Sequence, residues 1–155
     1  MKKTIFALAL ITPLAAFAAP APDPTAPVHE FLDSFNTGDM KAQADAFAPG
    51  SITIVDEFPP FTWSGAKALA NWNADYGTNA KAEDVTDPKV TYKAPTVVNV
   101  KGHTAYVTIP TTYSYKSNGK PTSEEAAMAY ALTLTKSGWK IRAWTWCGTI
   151  PHPAK

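Results

Sequence analysis

From Lys89 to Cys147 the chain is nearly continuous strand-type sequence broken only by tight turns, and this constrains the fold more than any other feature. The runs Val90 to Val100, His103 to Tyr115, Thr122 to Thr135 and Trp139 to Cys147 are separated by Lys101-Gly102, Ser117-Asn118-Gly119-Lys120 and Ser137-Gly138. Such turns reverse the chain in place, so the runs pair as antiparallel neighbours. Glu124 to Ala129 has helical propensity, but Met128, Tyr130, Leu132 and Leu134 alternate, and the flanking turns decide for a strand. A sheet with one apolar face needs a cover from elsewhere in the chain.

The N-terminal half supplies it. Pro27 suits a first helical turn, and Val28, Phe31, Leu32 and Phe35 fall on one stripe of a helix ended by Gly38. Asp39 is placed to cap a second helix burying Ala44 and Phe47, which stops before Pro49-Gly50. Ser51 to Glu57 alternates as a strand, with Ile52, Ile54 and Asp56 on one face and Glu57 on the other. A short extended piece, Phe61 to Trp63, leads to Ser64 as the expected cap of a third helix that buries Leu69, Trp72 and Tyr76 and stops at Gly77. The order α-α-β-β-α-β-β-β-β predicts an α+β fold, three N-terminal helices packed on a strongly curved antiparallel sheet, forming a cone. The 155 residues contain no internal repeat and suit one domain.

Lys2-Lys3, the apolar run Ile5 to Ala16 and Ala16-Phe17-Ala18 have the three-part layout of a secretory signal peptide over residues 1–18. Cleavage is expected after Ala18, because cutting after Ala19 would put Pro20 next to the scissile bond. The expected destination is the periplasm or the outside medium, with no membrane segment left after cleavage. Residues 19–26, alternating in proline, read as an extended tether, residues 27–149 as the domain and residues 150–155 as a tail. Losing Lys2 and Lys3 takes the formal charge from +1 to −1. With Arg142 the only arginine, the surface lacks the basic footprint of a nucleic-acid partner. Cys147, the only cysteine, excludes an intrachain disulfide and reads as a small buried strand side chain.

That element order, with Phe35-Asn36-Thr37-Gly38-Asp39, Phe47-Ala48-Pro49, Trp63-Ser64-Gly65 and Gly138-Trp139-Lys140-Ile141, resembles the nuclear transport factor 2-like superfamily, in its SnoaL-like and ketosteroid-isomerase-like branch. The resemblance spans about Pro27 to Thr149 and implies a deep apolar pocket and dimerisation through the sheet. It also implies a role for Asp56, since ketosteroid isomerases carry their proton-shuttling aspartate at the end of this strand, ahead of the glycine that here is Gly65. Alternation independently sends Asp56 toward the apolar face, beside Phe58 and Phe61, where desolvation raises a carboxyl pKa and makes a usable base. A bulge would exchange Asp56 with Glu57.

The family's oxyanion donors are not reproduced. Phe31 stands where ketosteroid isomerases have a tyrosine, and Tyr130 stands near their buried aspartic acid; the Tyr130 hydroxyl is the one candidate donor. Phe31, Trp63, Trp72, Tyr92, Tyr113, Met128 and Trp144 are the candidate ligand-binding walls. Trp144 and Trp146 share strand parity with Lys140 and Arg142, an arrangement that also fits a dimer interface. His29, His103 and His152 are too scattered for a metal site, and His29 and Asp33 are spaced as an exposed pair. No metal and no cofactor are expected, and no serine-nucleophile elbow or phosphate loop is present. The sequence therefore predicts an exported, homodimeric module that binds a small hydrophobic molecule without catalysis. The alternative is a cofactor-free isomerase, dehydratase or hydrolase with Asp56 as general base and Tyr130 as donor.

Overall fold

The computed structural model describes residues 22–154, so the expected leader, residues 19–21 of the tether and the last residue of the tail lie outside the described residues. The fold is α+β, with helices packed in the concavity of a curved, open sheet. Helix α1 (Ala26–Thr37) buries Val28, Phe31 and Leu32 and ends at Gly38, whose φ of 70° is the left-handed conformation a side chain would resist. Asp39 caps α2 (Met40–Asp45) as expected, its carboxylate accepting from the Lys41 and Ala42 amides at 3.0 Å each. The buried residue of α2 is Gln43 rather than Ala44, because Gln43 accepts a 2.6 Å hydrogen bond from Asn73 on the third helix.

Strands β1 (Ile52–Val55) and β2 (Thr62–Gly65) form a hairpin, and β1 also pairs in parallel with β7 (Gly138–Thr145). Ser64 belongs to β2, so helix α3 (Ala68–Ala82) starts three residues later than its side chain could cap. The helix also runs through Gly77 to Ala82, since an interior glycine costs only about 1 kcal/mol. The run expected as Val90 to Val100 is two strands, β3 (Val85–Tyr92) and β4 (Val97–Lys101). Both pair with β5 (Thr104–Ser117), and Pro95, which lacks an amide hydrogen, lies in the interruption between them.

β5 and β6 (Lys120–Thr135) form the long central hairpin, turned by Asn118 and Gly119 at φ 50° and 73°. The sheet order is β2-β1-β7-β6-β5-β3. Residues 150–155 are not only a tail: β8 (His152–Pro153) pairs with β6. Asn36 ties α1 to the sheet, its amide bonding both the N–H and the C=O of Val90 at 2.7 Å. Trp139 Nε1 donates to Pro22 O at 3.0 Å, anchoring the end of the expected tether against β7.

A bulge corrects the parity of the last strand. Ala131 faces Ala143 while Leu132 faces Ile141, so Arg142 is the extra residue and the strand turns over there. Trp144 thus joins the face of Trp139 and Ile141 and is buried, instead of lying with Lys140 and Arg142 on a surface. Cys147, beyond the end of β7, is exposed rather than buried.

Candidate functional site

Between α1, α3 and the concave sheet lies a cavity of about 280 Å³, near the lower end of the ~300–1,000 Å³ usual for ligand sites. Phe31 and Phe35 of α1 and Trp72 and Tyr76 of α3 form one wall; Tyr113, Met128 and Trp144 form the facing wall on the sheet. The rings interlock: Trp72 stands perpendicular to Trp144 at 5.3 Å between centroids and stacks on Tyr76 at 5.6 Å. Trp144 Nε1 has no hydrogen-bond acceptor within this ring cluster.

Asp56 sits where the chain leaves β1. Its amide donates to Phe61 O at 3.1 Å, and its own Oδ1 accepts from the Glu57 amide at 2.8 Å, so the backbone turns rather than continuing as strand. Oδ2 accepts from Trp72 Nε1 at 2.8 Å, which aims the carboxyl into the cavity. Burial in this apolar setting lifts the Asp56 pKa from 3.8 to about 6; the bonds from Trp72 and Glu57 oppose the rise, and the nearby Glu57 charge adds to it. Desolvation wins.

Because the chain turns at Asp56, Glu57 also lines the cavity, and both carboxyls reach it without a bulge. Glu57 lies at the mouth, yet desolvation of its carboxyl and a hydrogen bond and charge from Glu124 push it up to about 8. Glu124 on β6 is only 1% exposed and accepts from Trp146 Nε1 at 2.8 Å. Its pKa is raised by burial against the opposing bonds from Glu57 and Trp146. Gly148 makes room for this arrangement: a Cβ there would fall 1.7 Å from Glu124 Oε1. Tyr76 and Tyr113 share a hydroxyl-to-hydroxyl bond of 2.8 Å at the cavity, and burial raises both phenol pKa values.

The structure brings Asp56, Phe31, Trp72, Tyr113, Met128 and Trp144 together at the cavity. It does not place the other candidates there. Tyr130 is fully buried behind the wall, its hydroxyl donating to Met128 Sδ at 3.3 Å, so it presents no donor to the cavity as folded. Trp63 is buried below the mouth and donates to Asp75 at 2.7 Å. Tyr92 lies outside, stacked on His29 at 5.0 Å and donating to Asp33 at 3.0 Å, so those two residues meet the tyrosine instead of each other. Sequence reasoning missed Glu124, although it shares strand parity with the inward-facing Met128, Tyr130 and Leu132. Among the described residues no Lys, Arg or His lines the cavity, and no three His, Cys, Asp or Glu are grouped to hold a metal ion.

Known proteins share this architecture. A nuclear transport factor 2-like protein from Salmonella enterica superposes with a TM-score of 0.66 at 18% identity, covering 84% of this chain and 89% of its own. A ketosteroid isomerase-like protein from Erwinia carotovora atroseptica gives 0.64 at 16% identity, covering 83% and 95%. LinA gives 0.67 at 9% identity, covering 82% and 84%. At these identities the likeness concerns the fold alone. No curated protein matches in sequence. The family model described as SnoaL-like domain matches residues 25–145, which include α1, α3 and every strand from β1 to β7. The chain belongs to the SnoaL-like family, within the nuclear transport factor 2-like fold.

Proposed function

We propose that this chain binds a small, mainly apolar molecule in the aromatic cavity and moves a proton on it, with Asp56 as general base and Glu57 as general acid. The carrying observation is the pair of adjacent carboxyls that the turn after β1 brings into one aromatic cavity, where burial raises both pKa values and the hydrogen bond and charge of Glu124 raise Glu57 further. Near neutral pH Asp56 is mainly carboxylate, whereas Glu57, raised by burial and by its hydrogen bond with Glu124, holds a proton, so one site offers an acceptor and a donor together. This chemistry requires no cofactor, and it fits the cofactor-free isomerase or dehydratase reading of the sequence.

One observation favours retention without turnover. Tyr76 and Tyr113 bond each other, so the phenols do not form a pair of free donors aimed at an oxyanion. Native mass spectrometry of the purified protein, with co-purifying small molecules identified, supplies the compound that separates these readings. Catalysis predicts conversion by wild type and a loss of at least about 100-fold in Asp56→Asn. Equal turnover by the variant, or binding with no conversion, refutes the assigned role of Asp56.

Export of the chain and its pairing through the sheet are part of the same proposal. The outer sheet face supports pairing, because Ala127 and Ala131 are exposed there beside Tyr106, which is 47% exposed. Intact mass starting at Ala19 from a native host and a twofold mass in light scattering are the expected results. An uncleaved monomer contradicts both.

A further inference from the structure

The walls of the cavity carry a second piece of chemical information. Ring faces are electron-rich, and a buried cation is attracted to them without needing a counter-ion at contact distance. Here rings arrive from every side: Phe31, Trp72 and Tyr76 from the helices, and Tyr113, Trp144 and Trp146 from the sheet. Acidic groups also arrive from separate elements: Asp56 and Glu57 from the turn after β1, Glu83 at the end of α3, and Glu124 behind Trp146 on β6. Nothing positive offsets them, since no Lys, Arg or His of the described residues lines the cavity. No member of the ion pairs Lys41–Asp45, Lys116–Asp87 and His152–Glu125 lines the cavity; the last pair stands nearest, beside Glu124, where the Glu125 charge adds to the rise of the Glu124 pKa.

A neutral apolar ligand would be served by the rings alone, and an anion would be repelled. We propose that the molecule taken by this cavity is a small hydrophobic cation, a protonated amine or quaternary ammonium attached to an apolar or aromatic group, held by the ring faces with Asp56, Glu57 and Glu124 as its counter-charges. This rests on the reading above that the cavity is a ligand site, and it adds the charge of the ligand; with a permanent cation bound, Glu57 gives up the proton it holds in the free protein and serves as counter-charge instead of acid. Its thermodynamic consequence is proton release. The arriving charge favours the ionised form of each carboxyl, so affinity increases with pH across the range in which Asp56 and Glu57 titrate, while Tyr76, Tyr113 and Tyr115, also facing the cavity, stay neutral because burial raises their pKa values.

The test is titration calorimetry on the whole protein with benzyltrimethylammonium and with neopentylbenzene, its uncharged isostere. The quaternary ammonium has no titration of its own. We expect it to bind at least tenfold more tightly than the isostere at pH 8, to tighten severalfold between pH 5.5 and 8.5, and to lose about tenfold in the double variant Glu57→Gln, Glu124→Gln. Equal or tighter binding of the isostere overturns the charge preference and leaves the cavity a site for neutral apolar ligands. Tighter cation binding that is undiminished in a folded double variant overturns the role given to the two glutamates. Failure of both probes to bind at millimolar concentration overturns the ligand site and the charge preference together.

Discussion

Replacing Asp56 by asparagine removes a charge that the folded chain disfavours, and the result should be a more stable, inactive protein at neutral and alkaline pH. The carboxyl goes from a pKa of 3.8 to about 6 on folding, despite the 2.8 Å bond that Trp72 donates to its ionised form. A rise of this size corresponds to roughly 3 kcal/mol. Its sign is destabilising: between pH 4 and 6 the folded state holds a proton that the unfolded chain has released, so stability falls as pH rises through that window and the full cost persists above it. Asparagine has a single acceptor oxygen for the two donors, Trp72 Nε1 and the Glu57 amide, so it keeps one of these bonds and loses the other. Urea unfolding should therefore show the variant gaining up to about 3 kcal/mol relative to wild type between pH 4 and pH 8, on top of a pH-independent loss of about 1 kcal/mol for the missing bond. In melting temperature each kcal/mol is about 3–5 °C for a domain of this size. The contrast between the two proteins isolates Asp56 from the exposed Asp45 and from Asp23, whose lowered pKa values act in the opposite direction. A variant whose stability relative to wild type is no better at pH 8 than at pH 4 would refute the reasoning, because it would show that the Trp72 bond to the carboxylate outweighs desolvation.

Further outcomes follow from single contacts. Trp72→Phe keeps the ring stack but deletes the donor, so the Asp56 pKa should rise by about 1–2 units in a pH-rate or NMR titration, the equivalent of a charged hydrogen bond. Gly148→Ala puts a methyl 1.7 Å from Glu124 Oε1 and should cost about 1–3 kcal/mol in denaturant, with a change in tryptophan fluorescence as Trp146 is displaced. Asn36→Ala leaves both backbone groups of Val90 without their partner and should cost about 2–3 kcal/mol in the same assay.

The fold was legible wherever one periodicity persisted. The stripe Val28, Phe31, Leu32, Phe35 and the alternation of β6 each produced the expected element, and the alternation of Ile52 and Ile54 along β1 carried Asp56 to the apolar side. What escaped were the places where a period is interrupted by a local event. Arg142 inserts one residue into β7, which exchanges the faces of everything after it, so Trp144 reaches the cavity as one of the expected walls although its parity with Lys140 and Arg142 also fitted an interface. The turn stabilised by Asp56 Oδ1 ends strand parity one residue before Glu57, so Glu57 joins Asp56 instead of opposing it. Glu124 was hidden differently: a buried glutamate is costly unless partnered, and its partners, Trp146 and the space at Gly148, lie more than twenty residues away. Tyr130 points toward the core as alternation predicts, but alternation says nothing about depth, and Met128 stands between its hydroxyl and the cavity.

The claim that this cavity holds a base and an acid side by side is tested most directly by carbon-13 NMR titration of the side-chain carboxyls, assigned with Asp56→Asn and Glu57→Gln. The account predicts that Asp56 titrates near pH 6 and Glu57 near pH 8. Titration of both below pH 5 would contradict it, leaving two ordinary carboxylates at the mouth of an aromatic cavity.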